Sequence, residues 1–131
     1  MARNLGTPYM RGNSDVITNH RLAGNPLASG IVAGLDTNGN LVQASASITA
    51  KGITGLNELG YQSIVETGKS VYCKTADTTN PTIGAQVYFD ATTGFITATT
   101  SAQALNAVFV SGLEDVIDGS KCVAIDFVGG L

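Results

Sequence analysis

His20 is the only histidine of the sequence, and imidazole is well suited to general acid–base chemistry near neutral pH. It lies in a segment that glycine and proline interrupt repeatedly, where the partners of a catalytic triad would have no regular element to hold them. The sequence therefore favours a solvated or interface histidine. One histidine and two isolated cysteines cannot supply the three or four ligands of a zinc site without carboxylates from distant loops, so no metal site is predicted.

Two short motifs imitate ligand-binding loops but fail at essential positions. Gly68-Lys69-Ser70 matches the end of a phosphate-binding loop, but Ser63 stands where that motif needs its first glycine. Residues 36–40 match the start of a calcium loop, but Leu41 and Ser47 replace the required glycine and glutamate. No GxGxxG or GxSxG motif occurs, and we predict no cofactor.

The remaining reactive groups are scattered along the chain. Glu114 and Asp115 are adjacent acids, and such a pair could raise one pKa and act hydrolytically, although a solvated turn explains them equally well. Cys73 and Cys122 lie 49 positions apart without CxxC spacing, which favours buried free thiols; a disulfide would require neighbouring strands and an oxidising compartment. The prediction is a protein that is not an enzyme.

Length and composition indicate one soluble, folded domain. The chain has 131 residues, of which 44% are hydrophobic and 13% charged, and its net charge is -3, unlike the composition of disordered chains. Apolar stretches such as Ala107 to Val110 are far shorter than the roughly 18 residues of a spanning helix, and residues 1–10 contain no apolar signal core. We therefore expect synthesis and folding in a cytoplasm, with no membrane partner.

Charge is distributed unevenly between the start and the rest of the chain. The first 21 residues carry three arginines and one aspartate, whereas the remainder carries four lysines and nine acidic residues. The overall negative charge argues against nucleic acid as a partner. This asymmetry predicts a basic arm joined to an acidic body.

Strand-forming residues dominate the body. The sequence contains 15 threonines and 16 glycines, and no apolar stripe of helical period is sustained over three turns. We predict an all-β fold, a single small β-barrel or β-sandwich of seven to nine strands built from hairpins. The predicted strand pairs are 31–35 with 41–44, 64–66 with 70–74, 87–90 with 95–99, and 107–112 with 122–128, the last around Asp118-Gly119.

Three segments fall outside this pattern. Residues 55–60 and 101–105 are expected to form loops or a single helical turn. Residues 1–27 are predicted to form an extended N-terminal arm, and residues 28–131 the β-rich binding domain. As an alternative, residues 15–18 pair as an edge strand. The arm prediction implies that the body remains folded when residues 1–21 are removed.

The second half of the chain contains a specific succession of short segments: Gly84–Asp90, Thr93–Thr97, Ala107–Val110 and Asp118–Ile125. This succession resembles the small head-decoration, or capsid cement, proteins of tailed bacteriophages. In that family a Gly-x-x-Val-Tyr-x-Asp strand leads through a Thr-Gly turn to an Ile-Thr strand, and a closing hairpin follows. Looser matches occur at Ser29–Val32 and Lys51–Thr54. The similarity covers residues 28–128.

This resemblance implies a structural virion protein that binds the outer surface of the assembled head and stabilises it. It implies the major capsid protein as partner, a homo-oligomer with a trimer favoured over a dimer, and a location on the outer capsid surface after synthesis in the bacterial cytoplasm. We expect the arm to contribute the partner-binding residues, by strand addition and by arginine pairing with carboxylates. They are Arg3, Arg11, Val16, Ile17, His20 and Arg21.

Two other functions remain open. A tail- or fibre-associated module could bind a receptor glycan through exposed Thr, Asn and Tyr side chains. A hydrolytic enzyme could use Glu114 and Asp115. The five aromatic residues of the body that stand out are more typical of core or interface positions than of ligand stacking. They are Tyr61, Tyr72, Tyr88, Phe89 and Phe109.

Overall fold

The structure is a computed structural model that describes residues 16–100, 103–116 and 119–131. These ranges contain no helix, and their strands form two sheets, which confirms the prediction of an all-β fold. A helix that could span a membrane is accordingly absent from them. In chain order the strands are β1 (Val16–Arg21), β2 (Val32–Leu35), β3 (Leu41–Gln43), β4 (Gly52–Glu58), β5 (Tyr61–Thr67), β6 (Val71–Thr75), β7 (Gln86–Phe89), β8 (Ile96–Thr97), β9 (Gln103–Phe109), β10 (Glu114–Asp115) and β11 (Lys121–Asp126).

The first sheet has five antiparallel strands in the order β1-β5-β4-β2-β3. Its two outer strands approach each other after β1 ends, because Leu22 forms an isolated parallel bridge with Leu41. The amide of Ala23 donates to the carbonyl of Leu41 at 3.3 Å, and the amide of Leu22 donates to that of Gly60 at 2.9 Å. The sheet is therefore strongly curved around one apolar face.

The second sheet has six strands in the order β10-β11-β6-β8-β7-β9. Strand β11 also pairs with β9, through Ile125 opposite Phe109 and Asp126 opposite Val108. The pairing therefore runs in a closed circuit through β11, β6, β8, β7 and β9. The connection between β6 and β8 is a single parallel pair, Thr75 with Ile96, so β11 provides the extensive pairing of β6.

The main core lies between the two sheets. Its buried side chains come from alternate positions of both sheets, as the two-residue period of strands requires. Val32, Ile53 and Val65 enter it from the first sheet, and Phe89 and Phe109 from the second. A smaller cluster of Leu22, Ala33, Leu41 and Ile64 fills the curved face of the first sheet. Both faces of that sheet are thus buried along its centre.

Two buried polar side chains fasten the segment between β1 and β2 onto the first sheet. Gln62 donates to the carbonyls of Leu27 and Gly55 at 2.9 and 3.0 Å and accepts from the Leu27 amide at 2.9 Å. Thr54 donates to the Ala28 carbonyl at 2.6 Å. Because both side chains are buried, these bonds avoid the cost of unpaired polar groups.

Two predicted hairpins are confirmed. Strands β2 and β3 pair around residues 36–40, where the Asp36 carboxylate accepts from the amides of Asn38 and Asn40 and Gly39 has a φ of 79°. Strands β7 and β8 pair around a turn in which the Asp90 carboxylate accepts from the Thr92 amide at 2.7 Å. In both turns an aspartate carboxylate accepts hydrogen bonds from backbone amides a few residues later in the chain, an interaction that its short side chain favours.

The predicted pairing of 64–66 with 70–74 is wrong. Both segments are strands, but β5 belongs to the first sheet and β6 to the second. Residues 68–70 cross between the sheets, where the Ser70 amide donates to the Asp126 carboxylate at 2.7 Å. Val65 and Val71 then reach the same core from opposite sides. Small and polar residues suit a crossing between two sheets as well as a tight turn within one sheet, so the sequence does not distinguish the two.

The expectations for 55–60 and 101–105 are also wrong. Residues 55–58 complete β4, with a register irregularity between Thr54 and Asn57, and β9 begins at Gln103. Residues 101 and 102 lie outside the described residues. Both segments lack a clear alternation of apolar and polar residues, because their outward side chains include leucine and alanine.

The predicted hairpin between 107–112 and 122–128 is correct only in part. Strands β9 and β11 are antiparallel neighbours, but β10 lies between them in the chain. The tight turn joins β10 to β11, with the Gly119 amide donating to the Val116 carbonyl at 2.9 Å. Asp118 lies outside the described residues.

The two cysteines are buried free thiols, as predicted. Cys73 faces the core between the sheets, whereas Cys122 packs with Tyr72 and Ala124 on the other face of β6 and β11. Burial raises the pKa of Cys73 well above its ordinary value, with a further contribution from the nearby Cys122. A thiol held in its neutral form is a poor nucleophile.

Candidate partner-binding surface

The residues predicted to bind a partner fall in two parts of the chain. Arg3 and Arg11 lie outside the described residues. The other four, Val16, Ile17, His20 and Arg21, lie on β1. The described members of the predicted site are therefore brought together on one strand.

Strand β1 is an edge strand of the first sheet, which was the alternative for the end of the arm. It pairs antiparallel with β5, from Val16 opposite Thr67 to Arg21 opposite Tyr61, with a bulge after Val16. Ile17 packs against the main core, and Leu22, the next residue after β1, is buried in the smaller cluster. Residues 16–22 thus belong to the β fold, and a deletion of residues 1–21 removes one strand of this sheet.

The outer side of β1 is open within the described chain. There, β5 is its only strand neighbour. Neither proline nor lysine, two residues that protect sheet edges, occurs in Val16–Arg21. Such an edge can accept a further strand through backbone hydrogen bonds.

Arg21 lies at the exposed end of β1 beside Tyr61. Its guanidinium carbon is 5.8 Å from the centre of the tyrosine ring, and its Nη2 is 3.4 Å from the tyrosine hydroxyl. Both side chains are exposed. Stacking over an aromatic ring restrains the long arginine side chain and leaves its hydrogen-bond donors available to a carboxylate.

A polar cluster occupies one face of β1. The Thr18 hydroxyl donates to Glu66 Oε2 at 2.5 Å and lies 2.7 Å from His20 Nε2. Because the hydroxyl proton is used toward Glu66, the contact with His20 requires that Nε2 donates. Lys51 Nζ is 3.1 Å from Glu66 Oε1. His20 thus helps to position side chains at the edge of the sheet, and its Nε2 does not act as a base toward Thr18.

The partners of Glu66 favour its ionised form. Partial burial acts to raise its pKa, but the hydrogen bonds from Thr18 and Lys51, with the charges of Lys51 and His20, outweigh burial and lower the pKa below 4.5. A carboxyl whose pKa is lowered on folding stabilises the folded state above its unfolded pKa. That contribution is lost as the pH falls through the folded pKa.

Glu66→Gln is therefore expected to reduce the free energy of unfolding at pH 7 by on the order of 1 kcal/mol. The difference from the wild type should shrink as the pH falls below about 4, because wild-type Glu66 is then protonated too. Urea unfolding at several pH values measures this. A difference that stays constant down to pH 3 would contradict the assignment. Thr18→Val, which removes one donor to Glu66, should show a smaller effect with the same pH trend.

The acidic pair considered for hydrolysis is not assembled. Glu114 and Asp115 are consecutive residues of β10, so their side chains point to opposite faces. Asp115 pairs with Lys121, and this hydrogen bond lowers its pKa rather than raising it. No group of three or more histidine, cysteine or acidic side chains that could hold a metal occurs among the described residues.

A concavity of about 590 Å³ lies beside β7 and β8. Phe95, several threonines, Asp77 and Asp90 line it. Its carboxylates already have partners: Asp77 accepts from the Thr97 hydroxyl at 2.8 Å and the Ala98 amide at 2.9 Å, and Asp90 holds its own turn. A ligand would meet threonine hydroxyls and the ring of Phe95, whose centre lies 5.8 Å from Lys74 Nζ.

The tip of the β4–β5 hairpin is a feature that the sequence reasoning missed. Leu56, Leu59 and Tyr61 have exposed fractions of 77%, 92% and 45%, and they help to line a concavity of about 550 Å³. The pair Leu59-Gly60 was an available signal, because a two-residue loop ending in glycine between strand-forming residues indicates a tight hairpin. It was overlooked because leucine is an unusual residue for such a turn.

Comparisons with protein-family models and with curated proteins assign neither a family nor a function to this chain. No protein-family model matches the sequence. No curated protein matches it either.

Proposed function

We propose that this chain is a bacteriophage head-decoration protein, which binds the outer surface of the assembled capsid and stabilises it without catalysing a reaction. The observation that carries the proposal is the outer edge of β1, which no other described strand covers and which follows in the sequence on the segment containing Arg3 and Arg11. An edge that can accept a strand, next to cations that can pair with carboxylates, is suited to binding another protein.

The arrangement of the segments that resemble the decoration proteins also supports the proposal. The four closer matches lie on β7, β8, β9 and β11, which are connected neighbours in the second sheet, and the two looser matches reach β2 and β4 of the first sheet. None of the matching segments includes β1. The matching segments thus form the body of the protein, and the edge strand β1 is left as the part that contacts the major capsid protein.

The decisive experiment is binding to capsids. Purified protein is mixed with expanded, undecorated heads of the phage from which it derives, and the heads are pelleted. We expect saturable co-sedimentation and density on the outer surface in electron micrographs. Absence of binding by a folded protein would refute the capsid function.

The contribution of the arm is tested with Arg3→Ala/Arg11→Ala and with each single substitution, and Lys69→Ala in an exposed loop is the control that matches the single variants in lost charge. Two lost charge-assisted hydrogen bonds should weaken capsid binding about tenfold or more, whereas Lys69→Ala should bind like the wild type. Equal binding by the wild type and all of these variants would assign attachment to the body alone.

Glycan binding is the second candidate, favoured by the threonine-lined concavity beside Phe95. Hydroxyl donors next to an aromatic ring suit a sugar, which presents hydroxyl groups and an apolar face. A glycan array combined with imaging of the virion separates the two functions. Adhesion requires sugar binding that Phe95→Ala abolishes and a position at the tail, whereas decoration requires a position on the head.

A further inference from the structure

We propose that the β4–β5 hairpin is a self-association surface through which two copies of this chain pack face to face. The surface, here called the hairpin face, consists of Asn19, Arg21, Leu56, Glu58, Leu59 and Tyr61. This inference is independent of capsid binding, since it concerns the protein alone in solution, and it predicts a dimer where the resemblance favours a trimer.

Leu59 has an unfavourable backbone conformation at the tip of the hairpin. Leu59 and Gly60 form the two-residue loop, with φ angles of 51° and 82°. Glycine and asparagine adopt such angles readily, but leucine does so only at a cost. Leu59 is also the most exposed large apolar residue of the described chain. A side chain that is unfavourable for the turn and unburied in the monomer is explained if it is buried in a complex.

The apolar residues of the hairpin face are grouped. Leu56 and Tyr61 line the same concavity of about 550 Å³ as Leu59. The face therefore combines a projecting leucine with an apolar depression beside it. A projection and a depression on one patch are what a self-complementary interface requires, because each copy presents the same patch.

Charge complementarity identifies the occupant as a second copy. Glu58 lies opposite Tyr61 across β4 and β5, and Tyr61 lies opposite Arg21 across β5 and β1. These three residues form a row across the strands, with the negative Glu58 at one end, the aromatic Tyr61 in the centre and the positive Arg21 at the other end. A two-fold axis parallel to the strands and passing by Tyr61 places Glu58 of each copy against Arg21 of the other.

Glu58 is available for this contact. It is exposed, and within the described residues it forms no ion pair. Among the described residues the Arg21 side chain has its hydrogen bond and its ring contact with Tyr61 and forms no ion pair, so its guanidinium can donate to a carboxylate partner. The six residues of the hairpin face are fewer than the roughly 20–30 residues a side of a standard interface. The dimer is therefore expected to be weak, with a measurable monomer fraction.

The first test is Leu59→Asn, followed by sedimentation velocity at concentrations up to about 1 mM. Asparagine suits the turn, so we expect the melting temperature to stay the same or to rise while the dimer dissociation constant increases about tenfold or more. Unchanged association, or a monomeric wild type at the highest concentration, would overturn the proposal.

The second test exchanges the charges. Glu58→Arg and Arg21→Glu should each be monomeric alone, because like charges meet across the axis, whereas an equimolar mixture should form a heterodimer. If Glu58 and Arg21 acted only within their own chain, mixing the two variants would not restore association. Failure of the mixture to associate would overturn the proposal.

A third comparison distinguishes the second copy from other occupants. A chain that begins at residue 16 should dimerise like the full chain. Loss of dimerisation in that chain would instead assign the dimer contact to residues 1–15. Leu59→Asn that loses capsid binding without changing self-association would assign the hairpin face to a capsid subunit. Either result would overturn self-association through the hairpin face, but the first leaves the capsid proposal intact and the second supports it.

Discussion

A chain that begins at residue 23 is expected to lose cooperative folding, whereas a chain that begins at residue 16 keeps it. The shorter chain lacks β1, with its six paired residues, and Leu22 of the smaller core cluster. Losing a buried leucine and several strand hydrogen bonds costs about 5 kcal/mol or more, and domains have only about 5–15 kcal/mol in total. This expectation replaces the sequence-based one that residues 1–21 can be removed.

Urea unfolding followed by circular dichroism measures the difference between these two chains. Both lack residues 1–15, so the comparison isolates residues 16–22. Similar unfolding midpoints and slopes for the two chains would show that the pairing of β1 with β5 contributes little. A flat transition for the shorter chain alone would show that the first sheet requires its edge strand.

Phe109→Ala should reduce the free energy of unfolding by about 3–5 kcal/mol. Phe109 is 1% exposed and packs in the core between the sheets. Its backbone has a neighbour on each side: on one side its amide donates to the Ala85 carbonyl at 3.1 Å and its carbonyl accepts from the Gly84 amide at 2.8 Å, and on the other it lies opposite Ile125 of β11. The surroundings therefore cannot move in to fill the cavity, which places the cost toward the upper part of this range.

The matched control for Phe109→Ala is Val108→Ala on the same strand. Val108 points outward and is 40% exposed, so its truncation should change stability by no more than about 0.5 kcal/mol. Chemical denaturation of both variants gives the comparison. Equal costs would mean that β9 does not alternate between core and solvent as described.

Local turn chemistry made part of the fold predictable. Asp36, Asn38 and Gly39 specify a tight turn through their own backbone preferences, and the hairpin they predict is the one observed. The same holds for Asp90 between β7 and β8. In these cases the deciding interactions lie within a few residues of each other, where a single sequence contains the information.

Longer-range choices were not predictable in the same way. Gly68, Lys69 and Ser70 suit a hairpin turn, yet they lead from one sheet to the other, and the contact with Asp126 that accompanies this crossing joins residues 56 positions apart. The Thr18, His20 and Glu66 cluster likewise depends on the register of β1 against β5. The register of two paired strands depends on which side chains pack on each face of the sheet, and a single sequence does not specify that packing directly.

The position of β11 in the second sheet has a consequence for biosynthesis. This strand supplies the extensive pairing of β6, pairs with β10, and joins β6 to β9, which closes the circuit. The second sheet therefore cannot close before residue 126 has been synthesised, and every earlier nascent chain leaves β6 attached to β8 by a single residue pair. Contacts between such distant segments form slowly. Assembly of this half of the protein is thus delayed until translation has passed its last strand.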